Sequence, residues 1–299
     1  MKPLTPNKRA IYFSSFSLVF IIVIPFIIIY SLGYRFTKDY SLTERGGIYV
    51  YVPESGSDIY INNEFKKTTG TFQHELFLQN LKPGQSTVSV SSLLFQPWRK
   101  NILITEKEVS PVFPFLVPKD LGLREIVVAT STGAFTSTST SLEINVSEQK
   151  VILALFKVPA VVVQKQIKPA TTTPEIFAIT KKKIKIWSDG NKVFAKYIGE
   201  EDRTPPYFCT NITNTTSNLC DPILEIFNAK SPVRHIDFYP SRDDAIIISA
   251  GDTVSALEID IRLPQNIFTL YKGKKPDFRI SGNKVYVKDG DFVGQFSEI

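Results

Sequence analysis

A long apolar run near the amino terminus, Ala10 to Tyr34, is the clearest feature of the hydrophobic pattern. No charged residue interrupts it, and a short basic segment precedes it. As a helix rising ~1.5 Å per residue it would be roughly 37 Å long, which is enough to cross the ~30 Å hydrocarbon core of a bilayer. We therefore predict a cytoplasmic leader over residues 1–9 and a transmembrane helix over residues 10–34.

A secretory signal peptide and a buried core helix are the alternatives for this run. A signal peptide has an apolar region of only ~7–15 residues and a small-residue cleavage site after it, whereas this run is longer and no such site follows. A soluble core helix rarely needs so long an apolar run. Lys and Arg are nearly balanced on the two sides, so charge favours an inside amino terminus only slightly. The predicted location is the cell membrane, single-pass, with the C-terminal domains outside.

Beyond this run, apolar and polar residues alternate as they do in half-buried β-strands. The strand-like segment Ile48–Val52 ends at Pro53, and the pair Asn62-Asn63 after the next such segment is typical of a hairpin turn. The chain is 43% hydrophobic and 12% aromatic, a composition that excludes a mostly disordered exterior. We predict an all-β exterior (a small β-sandwich plus propeller-like β-sheet repeats) with one N-terminal transmembrane helix.

The first of these modules carries three recognisable landmarks. They are Pro53-Glu54-Ser55-Gly56-Ser57 before a strand, the turn Leu81-Lys82-Pro83-Gly84, and an aromatic segment with Trp98 before a final strand. In this order they resemble a PEGA domain, although the tetrapeptide of that name has an inserted serine here. The resemblance implies a β-sandwich at the cell surface over residues 46–118, and it implies no catalytic residues.

Residues 119–174 are predicted to be a linker with an unassigned β segment. Pro111, Pro114 and Pro118 end the first module, since proline does not continue a central strand. The Ser/Thr-rich tract Thr130–Ser141 is either a flexible linker or modified stalk, or a hydroxyl-rich hairpin between the flanking apolar segments.

An internal repeat lies within residues 175–299. Each of Ile223, Ile226, Lys230, Pro232 and Ile236 is followed 44 residues later by Ile267, Leu270, Lys274, Pro276 and Ile280 respectively. This period matches the ~40–45 residues of a four-stranded propeller blade. The segment 234–260 resembles a blade of the WD40-like or TolB-like β-propeller class, and an open or incomplete propeller remains an alternative.

Gly190, Gly251 and Gly282 begin a second recurring element, predicted to be a hairpin turn. The first interval is longer than one blade, and its surplus falls where Cys209 and Cys220 would form an excursion. The second interval is shorter, so the final unit is predicted to be abbreviated.

The only cysteines, Cys209 and Cys220, are the candidate disulfide. A bridge between them would close a surface loop and would require an oxidising exterior. The alternative is two free thiols in a reducing cytosol.

A formal net charge of +6 would suit an anionic partner. The densest basic cluster is Lys181, Lys182, Lys183 and Lys185. Its last two lysines alternate with isoleucines, as on the solvated face of a strand. No nucleic-acid-binding motif is found, so nucleic acid is not an expected partner.

No catalytic, cofactor-binding or metal-binding residues are predicted, and no cofactor is expected. His74 and His235 both lie beside strand-forming apolar residues, where histidine is usually structural. The carboxylates considered for acid/base chemistry are Asp237, Asp243, Asp244 and Asp252. Asp243, Asp244 and Asp252 are at turn positions, where aspartate caps the backbone. The glycosylation-like sequences at Asn145, Asn211 and Asn214 indicate exposed loops at most.

Two functions of different classes fit the sequence. The first is a non-enzymatic envelope protein in contact with the lipid bilayer, whose modules serve structural roles or bind a cell-wall polymer, glycan or protein partner. The second is a membrane-tethered glycan hydrolase using propeller carboxylates. A weaker third option is a sensor whose exterior module regulates another membrane protein. It would need that partner, because the short leader leaves no room for an output domain.

Overall fold

The computed structural model describes residues 6–31, 34–36, 42–128, 141–157, 178–210, 219–297 and 299. The chain divides into two compact units. Unit 1 comprises Met1–Val90 and Asn101–Pro114, and unit 2 comprises Ser91–Lys100 and Phe115–Ile299. Segment Ser91–Lys100 therefore lies inside the predicted sandwich in sequence and yet belongs to unit 2.

Unit 1 begins with helix α1 (Pro6–Ser31), which contains Pro25 and buries none of its residues. The helix is long and apolar enough to cross a membrane. It ends earlier than predicted because Tyr34 already belongs to strand β1 (Tyr34–Phe36), which pairs antiparallel with β2 (Leu42–Glu44). Residues 1–5 of the predicted leader lie outside the described residues.

Two further sheets follow in the part of the sequence predicted to be a sandwich. Their strands are β3 (Gly46–Tyr51), β4 (Asp58–Ile61), β5 (Glu64–Thr68), β6 (Glu75–Leu81), β7 (Gly84–Ser91), β8 (Trp98–Ile104) and β9 (Val109–Val112). The strand orders are β6-β3-β9 and β5-β4-β7-β8. In the first sheet, β3 is antiparallel to β6 and parallel to β9.

The period-2 pattern explains the core of unit 1. Alternate residues of β3 and the residue after it, Ile48, Val50 and Val52, are fully buried, which is expected of a sheet with one covered face. The predicted turn at Asn62-Asn63 is confirmed. Both residues have positive φ, 52° and 66°, as a two-residue hairpin of the primed type requires.

Unit 2 contains, besides two short 3-10 helices (Glu201–Arg203 and Pro206–Phe208), one described α-helix and the remaining strands. They are β10 (Leu123–Val128), β11 (Ser141–Ile144), α2 (Val146–Lys157), β12 (Ile179–Lys181), β13 (Ile184–Asp189), β14 (Lys192–Tyr197), β15 (Cys209–Thr210), β16 (Leu219–Cys220), β17 (Ile223–Asn228), β18 (Val233–Phe238), β19 (Ala245–Ala250), β20 (Thr253–Glu258), β21 (Ile267–Lys272), β22 (Asp277–Ser281), β23 (Lys284–Asp289) and β24 (Phe292–Phe296).

These strands form three larger sheets and one small hairpin. The orders are β12-β13-β14-β17, β18-β19-β20-β21 and β11-β10-β24-β23-β22, and the hairpin is β15-β16. The first two sheets share a core of apolar residues that includes Ile186, Ile226, Ile236 and Ile248. No closed propeller is detected among the described residues.

The 44-residue repeat corresponds to equivalent positions in these sheets. Ile223 and Ile267 begin β17 and β21, each the last strand of its sheet, while Ile236 and Ile280 lie in β18 and β22, which follow them. The repeat therefore joins the end of one sheet to the start of the next.

The glycine element requires one correction. Gly190 and Gly251 occupy the turn between the second and third strands of their sheets, but Gly282 occupies the turn between β22 and β23, one hairpin too early. The equivalent residue is Gly290, between β23 and β24. All four glycines have a positive φ of 56–63°, a region that strongly favours glycine, so Gly282 lies in a hairpin turn as predicted and only its place in the sheet differs.

The region 119–174 differs from the prediction in two ways. Strand β10 pairs parallel with β11, so the segments flanking the Ser/Thr-rich tract do not form a hairpin. Helix α2 occupies part of the predicted β segment and packs Ile152 near Ile126 and Tyr286 of the adjacent sheet. β10 also pairs with β24 and so extends the C-terminal sheet. Most of the tract, residues 130–140, lies outside the described residues.

Candidate functional site

The predicted disulfide residues lie together in the excursion between β14 and β17. Cys209 and Cys220 are bonded with an S–S distance of 2.02 Å, and they face each other across the β15–β16 pair. The fully buried Phe208 precedes the bridge and contributes to the core of the first two sheets. Asn211 and Asn214 lie outside the described residues.

Asn145 caps a helix. Its side-chain oxygen accepts the backbone N–H of Glu148 at 2.8 Å and the Ser147 hydroxyl at 2.7 Å, at the start of α2. The Glu148 carboxylate in turn accepts the Asn145 N–H at 3.4 Å, so the two side chains form a reciprocal cap. The Asn145 side chain thus stabilises the first turn of α2.

The basic cluster is dispersed over several contacts. Lys181 donates from Nζ to the Tyr239 carbonyl at 3.2 Å, whereas Lys182 forms a 3.0 Å ion pair with Asp243. Ile184 and Ile186 are buried and Lys185 between them is partly exposed, as the predicted alternation requires, whereas Trp187 and Ser188 further along β13 are buried as well. Lys181 and Lys182 are thus engaged with different partners, which fits a solvated strand end better than a shared anion site.

The turn carboxylates do not form a pair. Asp243, Asp244 and Asp252 form ion pairs with Lys182, Arg242 and Lys272 respectively. Because Asp244 precedes β19 and Asp252 follows it, they are roughly 20 Å apart along the strand. Retaining and inverting glycosidases place their carboxyl groups only ~5–10 Å apart. These aspartates lie in turns as predicted, but their side chains make ion pairs.

A mixed group of charged residues is found on β12, β18 and β22, each of which is an edge strand of one of the three larger sheets. β18 contacts both β12 and β22. We call Lys181, His235, Asp237, Asp277 and Arg279, contributed by these strands, the inner-strand cluster. Arg279 Nη1 pairs with Asp277 Oδ2 at 2.8 Å, and Asp277 Oδ1 accepts the Ser249 hydroxyl at 3.0 Å. Two cations and two carboxylates therefore balance in the cluster.

Burial controls the protonation of two members of this cluster. It lowers the pKa of His235 to about 4, with a further contribution from the nearby Arg279 charge, so the imidazole is neutral at pH 7. Burial raises the pKa of Asp237, although the Phe238 N–H and the charges of Lys181 and Arg279 oppose this effect. His235 also packs edge-on against Phe278, with ring centroids 4.9 Å apart. The cluster thus has one neutral imidazole and one carboxyl group whose pKa is raised by burial.

A buried polar network, which we call the Lys100–Glu258 network, was missed in the sequence. Glu258 accepts hydrogen bonds from Trp98 Nε1, from Lys100 Nζ and, at 3.0 Å, from Asn266 Nδ2. Lys100 also donates to the Asp260 carbonyl at 2.9 Å. Lys100 is only 1% exposed and Glu258 only 4% exposed.

A signal for this network was present in the pattern of β8. Trp98, Lys100, Ile102 and Ile104 alternate on the buried face of the strand, so lysine takes a position where an apolar residue is expected. A buried lysine needs an acidic partner. Its partner lies 158 residues away, which no local pattern reveals.

The two histidines do not lie in a cluster of metal ligands. His74 is bound through Nε2 to the Thr71 carbonyl at 3.0 Å, and His235 packs on an aromatic ring. Among the residues that the structure describes, no group of three or more His, Cys, Asp or Glu side chains could hold a metal ion.

No protein-family model matches this chain, and no curated protein matches it either.

Proposed function

We propose that this chain is a non-enzymatic, single-pass cell-envelope protein that displays its β-sheet units outside the membrane for structural or binding roles. One observation carries the proposal, namely that none of the residues of α1 is buried by the rest of the chain. Large side chains such as Phe13 and Phe16 remain about three-quarters exposed. A helix with so much exposed apolar surface is unfavourable in water and favourable in lipid.

The disulfide supports the outside location of unit 2. Structural disulfides persist in oxidising environments and are rare in reducing cytosol. Cys209 and Cys220 form a bond within a short surface excursion, and such a bond would be reduced if unit 2 faced the cytoplasm. The short amino terminus would then lie inside, as the charge distribution slightly favours.

The sheets support a sandwich followed by a propeller-like module. The orders β6-β3-β9 and β5-β4-β7-β8 suit a small PEGA-like sandwich. In unit 2, two four-stranded antiparallel sheets follow each other in the chain, and β10 joins β24 of the third. Addition of an early strand to the last sheet is the arrangement that would close a ring of blades. Propellers typically have 4–8 blades, whereas the described part of unit 2 has three larger sheets.

A membrane-tethered glycan hydrolase is the second candidate. Asp237 favours it, because its raised pKa is a property of a general acid. The other carboxylate in the inner-strand cluster, Asp277, is held by Arg279 and Ser249, and the turn aspartates are ion-paired at the ends of β19. We therefore propose binding or structural support in preference to hydrolysis, with a wall polymer, glycan or protein as partner.

Protease treatment of intact cells tests this proposal. Cells producing the full chain with a C-terminal epitope tag are exposed to protease before and after permeabilisation. We expect the tag to be lost from intact cells, and a cytoplasmic marker protein to be cleaved only after permeabilisation. Protection of the tag in intact cells would refute the outside location. Non-reducing mass spectrometry of protein from native membranes adds a second readout, since free thiols on both cysteines would contradict it as well.

A further inference from the structure

The outer face of the β6-β3-β9 sheet is unusual because it is apolar and exposed. Residues Tyr49, Tyr51, Phe77, Val109 and Pro111 lie on this face, which we call the aromatic face. Phe77 is 49% exposed, Val109 48% and Tyr51 39%. An antiparallel strand with one covered face normally carries polar residues on the other, so exposed aromatic residues in a row indicate a binding surface.

Register places these side chains side by side. Tyr49 lies opposite Phe77 on β6 and opposite Pro111 on β9, and Gly47 lies opposite Val109. A Cβ on Gly47 would come within 3.4 Å of Val109 Cγ2 and 3.7 Å of Phe77 Cε2. The lack of a side chain at Gly47 therefore lets its neighbours pack over the strand, which gives a flat apolar surface.

Polar groups lie at one edge of the aromatic face. The Tyr49 hydroxyl donates to Glu75 Oε2 at 2.7 Å, and Glu75 lies opposite Tyr51 in the register. The ring of Tyr51 is 6.4 Å from that of His74. A carboxylate acceptor and a phenol are thus held within reach of anything that stacks on the rings.

The size of the face limits the kind of partner. Three strands and about five residues of each give a footprint of roughly 14 Å by 17 Å, or about 240 Å². A stable protein–protein interface buries about 800 Å² on each partner, so this face alone is too small for one. It is large enough for a short oligosaccharide.

The chemistry of the face argues against lipid and for a neutral sugar. Insertion into a bilayer would remove water from the Glu75 carboxylate, which is costly. The five residues of the aromatic face carry no charge, and the Glu75 carboxylate at its edge would repel an anionic polymer. A sugar ring has an apolar C–H side that can stack on an aromatic ring, and hydroxyl groups that can bind a carboxylate.

We propose that the aromatic face binds a neutral oligosaccharide portion of a surface glycan, with sugar rings stacked on Tyr51 and Phe77 and a hydroxyl donated to Glu75. This inference rests on the proposed outside location of the chain, because the glycan must be able to reach the face.

Binding of the full chain in lipid nanodiscs to defined glycans tests the inference. The probes are β-glucan, mannan and N-acetylglucosamine oligosaccharides, and vesicles with anionic lipid serve as a comparison. The test variants are Tyr51→Ala and Phe77→Ala. The matched control is Phe72→Ala, because Phe72 is 96% exposed in the same unit but lies outside the sheet.

We expect at least one glycan to bind, with affinity about tenfold weaker in each test variant, because each variant removes a ring on which a sugar would stack. Phe72→Ala should bind like the wild type. Glu75→Gln and Tyr49→Phe, which preserve side-chain size, keep the test valid if an alanine variant fails to fold, and each should also weaken binding.

Absence of binding to all three neutral glycans would overturn the inference, as would equal loss with Phe72→Ala. The inference would also be overturned if the wild type bound vesicles, or self-associated, and the test variants abolished that behaviour. The outside location is measured separately by protease treatment. A chain that is cleaved on intact cells but binds no glycan would retain its proposed display role and lose only this ligand.

Discussion

Removal of the cation from the Lys100–Glu258 network should destabilise unit 2 strongly. Lys100→Met retains a long apolar side chain but leaves the Glu258 carboxylate, 4% exposed, without its ammonium partner. Trp98 and Asn266 would still donate to that carboxylate, and neither of them supplies a charge. Loss of one partner of a buried ion pair costs about 3–5 kcal/mol. For a unit of this size the melting temperature should fall by roughly 6–20 °C.

Fluorescence provides the assay. The chain has two tryptophans, so Trp187→Phe leaves Trp98, which is part of the network, as the only one. Thermal and urea unfolding of the detergent-solubilised full chain would then be followed through the emission of Trp98. The control is Lys192→Met, because the Lys192–Glu225 pair is exposed and should contribute at most about 1 kcal/mol.

A second variant separates charge from packing. Lys100→Met combined with Glu258→Met replaces both ions by apolar groups, which is often close to neutral for a buried pair. We expect the double variant to recover much of the lost stability, although Trp98 and Asn266 lose their shared acceptor. Equal effects of Lys100→Met and Lys192→Met would refute the argument, and so would a double variant that is less stable than Lys100→Met alone.

Three further predictions concern other parts of the chain. Cys220→Ser should lower the free energy of unfolding by about 2–3 kcal/mol, because the bond closes a short loop, and a reductant should have the same effect on the wild type but none on the variant. Burial holds the pKa of His235 at about 4, so the unfolded chain takes up this proton first as the pH falls. The contribution of His235 to the free energy of unfolding is therefore complete above the unfolded pKa of ~6.5, and about 2–3 kcal/mol of it is lost as the pH falls towards 4. His235→Gln should flatten this part of the pH profile of urea unfolding. Gly46→Ala should destabilise unit 1 by at least about 1 kcal/mol in thermal unfolding, because its Cβ would overlap the Thr105 carbonyl oxygen, and a wild-type melting temperature would contradict this contact.

Local signals were sufficient for several elements of the fold. The apolar helix, the Asn62-Asn63 turn and the glycine turns at Gly190 and Gly251 each depend on a few adjacent residues, and the structure contains all of them. The third glycine turn was assigned to Gly282 because its sequence resembles the others. Only strand order reveals that Gly290 is the equivalent residue.

Helix α2 could have been predicted from local sequence. Asn145 and Glu148 have the spacing of a reciprocal cap, and apolar residues at helical spacing follow them, including Ile152 and Phe156. The strand-rich composition of the chain as a whole hid this local pattern. Composition indicates the average secondary structure of a chain, whereas capping residues and their spacing indicate a helix at one segment.

The candidate sites depended on contacts that are distant in sequence. In the sequence, Asp237 does not differ from other aspartates in strands. In the fold, β12 and β22 place the charges of Lys181 and Arg279 near it. The aromatic face likewise requires the parallel pairing of β3 with β9, which brings Pro111 beside Tyr49. Parallel strands are not joined by a tight turn, so no turn sequence predicts that these two segments pair.

The same long-range contacts decide what unit 2 needs in order to fold. A segment cut at residue 175 would lose β10 and would leave the edge of β24 unpaired, and exposed edges favour aggregation. It would also lose Lys100 and Trp98, so that Glu258 would be buried without its cation. We therefore expect the repeats alone to fold poorly. In the full chain they contact both the strand that precedes them and a segment inside the predicted sandwich, so a fragment that begins at the repeat period lacks partners for β24 and Glu258.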